Sequence, residues 1–196
     1  MYSCAFFGHA ERDYSKEETF IRELIVYYIE EFSVTQFYTG SRGKFDHICA
    51  RIVHSLKAEY PQIKLTKVFS YIPQGKEEYS STYYDDSVYL LERRVPPKHA
   101  IIETNKALVE KVDFVISGVD HDWGGAAKAV DYAYQKEKPV FEIFKKRCLE
   151  RKWETLMNGG NFPLTNSIKA DLKKAVEEAI KMMNEKEEKS KKRKKK

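Results

Sequence analysis

The sequence predicts an α/β protein, with a Rossmann-like open parallel sheet of about five strands, helices on both faces and a C-terminal helical extension. Short apolar runs alternate with segments of helical period five times through residue 144. No hairpin signal joins any two of these runs, which favours parallel strands connected by right-handed crossovers. The run DFVISG is almost continuously apolar, as in a strand that helices cover on both faces.

Each element of this fold is predicted from its local pattern. Strands are expected at residues 3–7, 36–39, 63–71, 113–118 and 139–144, and helices at residues 15–32, 44–59, 98–111 and 124–136. Ser15 and Glu18 have the spacing of a capping box at the start of the first helix, and Pro61 ends the second. Residues 74–97 are polar and rich in tyrosine, and a stretch of this length is typical of a functional loop or a lid.

The chain divides into three predicted parts. Residues 1–144 form the Rossmann-like domain, and residues 145–185 pack on it as the helical extension, because apolar residues recur on one helical stripe there. Residues 186–196 hold eight Lys or Arg and two Glu and are predicted to be a disordered basic tail. The whole chain carries +5 and the rest of it therefore only −1, which argues against nucleic-acid binding except through this tail.

Composition also excludes several classes of protein. The three cysteines, Cys4, Cys49 and Cys148, are scattered and odd in number, which argues against a disulfide framework and a thiolate metal site. No apolar run approaches the roughly 20 residues of a membrane-spanning helix. The first residues lack the basic region of a secretory signal, so we expect a cytoplasmic protein with no membrane partner.

Three predicted strands end in turns that contain glycine, and each turn precedes a helix. In a parallel sheet these turns share one edge, where ligands bind in open α/β folds. A helix N-terminus presents unpaired N–H groups to an anion, and glycine lets the ligand approach the backbone. The turns and their neighbours predict a site for a phosphate-bearing nucleotide built from Gly8, His9, Gly40, Ser41, Arg42, Gly43, Trp123, Gly124, Gly125 and Lys128. Neither a Walker loop nor a GxGxxG fingerprint is present.

Several nearby side chains have more than one interpretation. Asp46 either interacts with the dipole of its helix or accepts a ribose hydroxyl, and His9 is either a general base, a ligand contact or a partner of the backbone. Asp120, His121 and Asp122 resemble metal ligands, but consecutive side chains diverge, and we expect no metal and no cofactor. The tyrosines either stack on a base or cover the sheet, and they include Tyr71, Tyr83, Tyr84 and Tyr89.

Four segments carry a resemblance to a known family. SCAFFGH, FYTGSRGKFDHICARIVHSLKAEYPQIKL, VPPKHAIIETNKALVEKVDFVISGV and WGGAAKAVDYAYQKEKPVF resemble, in order and spacing, the YpsA-like branch of the SLOG superfamily, which is named for the Smf/DprA and LOG proteins. The resemblance covers roughly residues 2–144. It implies a Rossmann-like fold whose glycine turns bind nucleotides, with Gly8, His9, Gly40, Ser41, Gly43, Asp46, Asn105, Trp123, Gly124 and Gly125 at the matching positions.

The chain departs from the family pattern at charged positions. Ala10 stands where the branch often has arginine after Gly-His, and Thr104 stands where an arginine precedes the asparagine. A strongly anionic ligand would then need Arg12, Arg42 or Lys128 as a substitute. The PGGxGTxxE motif of the LOG hydrolases is also incomplete, since no Glu follows the double glycine on the helix.

The glycine turns favour a protein that senses or sequesters a nucleotide-derived signal, and the resemblance implies an ADP-ribose-type or cyclic molecule and an antiphage or counter-defence setting. An alternative is an N-glycosidase or phosphoribohydrolase with His9, Asp46 or Asp120 as acid or base. A second alternative is a scaffold whose basic tail binds nucleic acid or protein. The apolar stripe near the C-terminus and the aromatic content predict a homodimer.

Overall fold

The structure is a computed structural model, and it describes residues 1–40, 43–72, 83–92 and 95–144. The predicted helical extension (145–185), the predicted basic tail (186–196), Ser41 and Arg42 lie outside the described residues. The elements along the chain are β1 (Tyr2–Gly8), α1 (Glu18–Phe32), β2 (Val34–Thr39), α2 (Lys44–Leu56), β3 (Lys64–Phe69), β4 (Asp86–Tyr89), α3 (Pro97–Lys111), β5 (Phe114–Gly118), α4 (Gly125–Gln135) and β6 (Val140–Glu142).

All the strands described pair in parallel in one sheet with the order β4-β3-β2-β1-β5-β6. The predicted Rossmann-like α/β fold is therefore confirmed. The chain moves outward from β1 through β2, β3 and β4, and then returns to the other side of β1 with β5 and β6. This reversal makes the crevice between β1 and β5 the switch point at which open α/β sheets bind ligands.

The sheet has one strand more than the sequence predicted. Strand β4 falls within the tyrosine-rich stretch that we expected to be a loop or a lid. It is four residues long and only partly buried, because it occupies the edge of the sheet beside β3. A short edge strand without a continuous apolar run gives little periodicity from which to predict it.

Helices cover both faces of the sheet. The apolar residues of α1 and α2 pack with β1, β2 and β5 in one core, and those of α3 and α4 pack with the opposite sides of β1 and β5 in a second. Strand β5 is fully buried along its length, as its continuous apolar run predicted. Both cores meet at β1 and β5, so these two central strands fix the position of the turns that follow them.

The first helix begins later than predicted. We expected a capping box between Ser15 and Glu18, but α1 begins at Glu18 and no side chain caps it. The Ser15 hydroxyl instead donates to Asp13 at 2.9 Å. A serine can satisfy its hydrogen bonds in such a local turn as well as at a helix terminus.

The described helices do not include one that is long and apolar enough to cross a bilayer.

Candidate ligand-binding site

A cavity of about 390 Å³ lies at the carboxyl ends of the central strands. It lies where β1, β2 and β5 end, at the switch point of the sheet. The structure thus brings together the three glycine turns that the sequence singled out. The predicted ligand-binding residues that line the cavity are Gly8, His9, Gly40, Gly43, Asp46, Asn105, Trp123, Gly124 and Gly125.

The other predicted residues lie elsewhere or outside the described part of the chain. Tyr71 does not line the cavity, and its hydroxyl donates to the carbonyl of Pro97 at 3.0 Å. Lys128 is an exposed residue of α4 and is likewise absent from the lining. Ser41 and Arg42 are not described.

The glycines that end β1 and β5 make room for an aromatic ring. A Cβ atom on Gly8 would lie 2.3 Å from Cγ of Phe45, and one on Gly118 would lie 2.5 Å from Cε2 of the same ring. Phe45 is the second residue of α2 and is fully buried. Both glycines are therefore explained by packing, in addition to the place of Gly8 in the cavity wall.

The wall formed by α2 ends in a carboxylate. Asp46 accepts a hydrogen bond from the N–H of Gly43 at 3.1 Å, and its negative charge lies in the first turn of α2. A Cβ on Gly40 would lie only 2.6 Å from Oδ2 of Asp46, so this glycine gives the carboxylate its space. The acid thus occupies the place where the sequence predicted an anion-binding turn.

The wall formed by α4 is built differently. Gly124 has φ +97° and ψ 177°, a conformation that is essentially restricted to glycine, and no side chain caps the helix. The first intrahelical bond joins the N–H of Lys128 to the carbonyl of Gly124, which leaves the N–H groups of the first turn without a partner inside the helix. Asn105 of α3 donates to the carbonyl of Gly125 at 3.3 Å and holds the turn beside the cavity.

Tyr14 connects two of the turns, and sequence reasoning did not find it. The N–H of His9 donates to the Tyr14 hydroxyl at 2.8 Å, and this hydroxyl donates to the carbonyl of Gly118 at 2.7 Å. Burial raises the pKa of Tyr14 well above its ordinary value, so the phenol keeps its proton. Its position in a polar turn, outside any periodic segment, gave no signal of this role.

Thr104 is a second residue that the sequence did not place in the site. Its side chain lines the cavity, and its hydroxyl is buried without a hydrogen-bond partner among the described residues. A buried polar group without a partner costs about 1–3 kcal/mol, which a ligand hydrogen bond would recover. In the sequence, Thr104 was notable only because it replaces the arginine that the family pattern has at this position.

His9 and His121 lie together at one side of the cavity with Asp120. The two rings are stacked with centroids 3.4 Å apart, and Nε2 of His9 lies 3.3 Å from Oδ1 of Asp120. Burial lowers the pKa of His9, His121 and Arg12 lower it further, and Asp120 opposes them, so the imidazole is neutral near pH 7. The expectation that consecutive side chains diverge is wrong for Asp120 and His121, whose Oδ1 and Nε2 atoms are 3.9 Å apart.

Trp123 extends this stack to the protein surface. Its ring lies 3.8 Å from that of His121, nearly parallel to it, and the side chain is 71% exposed. Among the described residues it is the large aromatic side chain most accessible to a planar ligand in the cavity. Tyr83 and Tyr84, in contrast, pack against the core formed with α1 and α2.

No lysine or arginine lines the cavity in the described part of the chain. Arg12, one of the substitutes expected from the sequence, pairs with Asp120 and with Glu17, and its guanidinium lies 3.8 Å from the ring of Phe144. Among the described residues, the charged groups in the lining are Glu11 and Asp46, and the donors available to an anion are backbone N–H groups and neutral side chains.

No family model and no curated protein matches this chain. Solved structures similar to it include DNA processing protein A (DprA) from Helicobacter pylori, which is described by its single-stranded DNA binding mode. That protein is 15% identical, with a TM-score of 0.54, and the match covers 90% of this chain and 81% of that one. DprA from Streptococcus pneumoniae is 14% identical, with a TM-score of 0.51, and the match covers 72% of this chain and 50% of that one. This chain therefore spans about half of that protein's length.

A third similar structure is the molybdenum cofactor carrier protein from Chlamydomonas reinhardtii. It is 13% identical, with a TM-score of 0.50, and the match covers 91% of this chain and 98% of that one. At these identities the similarity establishes the fold alone. The chain therefore shares a Rossmann-like α/β fold with these proteins.

Proposed function

We propose that this chain binds a nucleotide or a nucleotide-derived small molecule in the cavity at its switch point, as a sensor or a sequestering protein of the YpsA-like branch of the SLOG superfamily. The observation that carries the proposal is the pairing of two unlike walls around a cavity of about 390 Å³. One wall is the uncapped N-terminus of α4, and the other holds the carboxylate of Asp46. The first wall suits the phosphate of a nucleotide, and the second suits its ribose hydroxyls.

We propose that the phosphate binds at the N-terminus of α4. The N–H groups of its first turn and the positive end of the helix dipole favour one negative group there. Gly124 offers no side chain to obstruct it, since a Cβ at that position meets nothing within 4 Å. Because no cation lines the described cavity, we propose a ligand with one or two phosphate groups at this wall and not a triphosphate.

The sugar is placed at Asp46. Asp46 lines the cavity, and a carboxylate accepts hydrogen bonds at about four positions. Ribose hydroxyls are donors to such a carboxylate, and Rossmann folds use an acidic residue in this way. The buried hydroxyl of Thr104 offers a further hydrogen bond.

The base is placed against Trp123. The exposed indole ring continues a stack with His121 and His9, so a planar base on the other face of the indole would extend the same stack at the mouth of the cavity. Stacking of a base on an aromatic side chain contributes about 1–3 kcal/mol. This placement differs from the alternative, raised by the sequence, that the tyrosines stack on the base, and much of the tyrosine-rich stretch lies outside the described residues.

Calorimetry of the full chain against AMP, ADP-ribose, cyclic ADP-ribose, NAD and cyclic oligonucleotides tests the proposal. We expect one member or more to bind, and Trp123→Ala and Asp46→Ala to weaken that binding by about tenfold or more. Asp85→Asn is the matched control, because Asp85 also accepts a backbone N–H bond but lies outside the cavity lining. Failure of every member to bind would overturn the proposal.

The panel also includes a single-stranded oligonucleotide, because one similar protein is described by that binding mode. Binding of the oligonucleotide alone, unaffected by Trp123→Ala, would replace the small-molecule proposal with nucleic-acid binding. Chromatography of each mixture for free base distinguishes binding from hydrolysis. Release of base that Asp46→Asn abolishes would favour the hydrolase, in which Asp46, at the cavity wall, is the acidic residue best placed to act.

We also propose that the chain acts in the cytoplasm as a homodimer. The support for the homodimer is the aromatic content of the sequence together with its apolar stripe between residues 168 and 183. Light scattering of the full chain should give twice the 23.0 kDa mass of one chain, and a monomer mass would contradict this.

A further inference from the structure

We propose that His9, Asp120 and His121 form a site for a divalent transition metal of the zinc class at the wall of the cavity. The histidines follow β1 and β5, which are neighbours in the sheet, so the fold brings together residues more than a hundred positions apart. Two imidazoles and a carboxylate are the donor set of open zinc sites, in which protein supplies three ligands. Metal binding here does not depend on the proposed nucleotide function.

The distances fit a shared ion. Nε2 of His9 is 3.3 Å and Nε2 of His121 is 3.9 Å from the same atom, Oδ1 of Asp120. A tetrahedral zinc ion with bonds of about 2.1 Å holds its ligand atoms about 3.4 Å apart. One ligand atom from each of the three residues lies within 4.8 Å of the other two.

A second observation points to a missing ligand. The side chain of His9 is only 10% exposed, and its Nε2 atom is buried without a hydrogen-bond partner among the described residues. A buried imidazole nitrogen that neither donates nor accepts is unfavourable, and coordination to a metal would satisfy it.

Neighbouring charges prepare the carboxylate for this role. Arg12 pairs with Oδ2 of Asp120, which leaves Oδ1 facing the two histidines. Such a contact outside the ligand set fixes the direction of a coordinating oxygen. Arg12 also pairs with Glu17 at 3.5 Å, so the two carboxylates around it outnumber the one guanidinium, and a divalent cation complements this excess of negative charge.

The stacked rings must turn to share an ion. Their planes are 17° apart, so the lone pairs of the two rings run side by side and must converge for coordination. His121 is the ring able to move, since its side chain is 30% exposed and its outer neighbour, Trp123, is 71% exposed. Metal binding should therefore change the fluorescence of the Trp123 indole.

The bound ion would keep an open position toward the cavity, because His9 and His121 both line it. It would supply the positive charge that the described lining lacks. An oxygen of a phosphate or carboxylate group is the class of ligand that such a position takes. This last step rests on the proposed function, whereas binding of the metal itself does not.

The experiment titrates the chelator-treated full chain with Zn²⁺ or Co²⁺ and no nucleotide. We expect one ion per chain, visible bands of tetrahedral Co²⁺, and quenching of Trp123 by Co²⁺ in a Trp153→Phe background, where Trp123 is the remaining tryptophan. His9→Gln and His121→Gln should each weaken binding by about tenfold or more. His47→Gln removes an exposed histidine of α2 and should leave binding unchanged.

Thermal unfolding without metal first shows which variants fold. If His9→Gln does not fold, the more exposed His121→Gln decides the test. The proposal is overturned if the wild-type chain fails to bind either ion, or if His121→Gln binds as tightly as His47→Gln. Nucleotide calorimetry in chelator is a separate measurement, so either proposal can fail while the other stands.

Discussion

Helices α2 and α4 both begin at glycines that line the same cavity, but their N-termini are built in different ways. At α2, Asp46 accepts the bond from the N–H of Gly43, and Phe45 fills the space above the glycines that end β1 and β5. At α4, no side chain caps the helix, and a Cβ on Gly124 would meet nothing within 4 Å. The protein itself closes the first wall and leaves the second open.

The difference shows that a glycine after a strand does not by itself indicate an anion site. Glycine at α2 makes room for the protein's own ring and carboxylate, whereas Gly124 has a backbone conformation that other residues avoid. What distinguishes the walls is whether the first-turn N–H groups already face a negative side chain. Substitutions on the two walls should therefore have different consequences.

Gly118→Ala should give the largest loss of stability. The new methyl would lie within 3 Å of three atoms of the buried Phe45 ring, and overpacking of this kind costs about 1–3 kcal/mol. Gly125→Ala is the matched control on the open wall, because its methyl would make only ordinary contacts, 3.5 Å or more away. Urea unfolding of the two variants measures the difference, and equal stabilities would contradict this account of the closed wall.

A second substitution tests the cause. Phe45→Leu removes Cε2 and Cζ, two of the three ring atoms that face Gly118, but keeps Cβ and Cγ, two of the three atoms that face Gly8. In that background Gly118→Ala should become clearly less destabilising, whereas Gly8→Ala should stay destabilising. If Gly118→Ala cost as much stability in the Phe45→Leu background as in the wild type, contact with the Phe45 ring would not be the cause of the loss.

Gly124→Ala should cost about 1–2 kcal/mol through backbone strain alone, since φ is +97° and no atom obstructs the methyl. Because α4 provides the proposed phosphate wall, ligand affinity should fall as well. Thermal unfolding and calorimetry of the same sample report the two effects. A Gly124→Ala chain with unchanged stability would show that the turn relaxes freely and would weaken the contrast between the walls.

Asp46→Asn should open the first wall to anions. The amide oxygen can still accept from the N–H of Gly43, and loss of the negative charge should remove a dipole contribution of about 0.3–1 kcal/mol. Without the carboxylate, inorganic phosphate should raise the melting temperature of the variant more than that of the wild type. An identical phosphate response in both chains would show that Asp46 does not keep anions from α2.

The sequence predicted the fold well because buried parallel strands leave a strong local signal. The apolar runs at β1 and β5 and the glycines after them placed the cavity at the correct edge of the sheet. Strand β4 was missed because an edge strand of four partly buried residues has little pattern. The start of α1 was wrong because Ser15 bonds to Asp13 within a turn.

The chemistry of the site was harder to predict because it depends on contacts between distant residues. The link from His9 through Tyr14 to Gly118 joins residues about a hundred positions apart, and no local spacing encodes it. The same holds for His9 beside Asp120 and His121. The sequence predicted that the residues at the strand ends would lie at one edge of the sheet. It did not predict which carboxylate would lie in which turn.

Asp85→Asn should have the smallest effect on the free energy of unfolding. Asp85 lies outside both walls of the cavity. Asp85 accepts the N–H of Leu65 at 2.7 Å and pairs with Lys57 at 2.7 Å. Burial raises the pKa of Asp85, but the bonds from Lys57 and Leu65 outweigh it and lower the pKa below its ordinary value. The side chain is 38% exposed, so solvent screening limits its contribution to less than about 1 kcal/mol.

The pH dependence gives this small effect a distinct signature. Since the folded pKa lies below the unfolded value of about 3.9, the stabilisation is present above that pH and is lost as pH falls through the folded pKa. Urea unfolding of wild type and Asp85→Asn should therefore differ at pH 7 and converge below about pH 4. A constant difference would assign the effect to lost packing, and a change in ligand affinity would contradict its place outside the cavity.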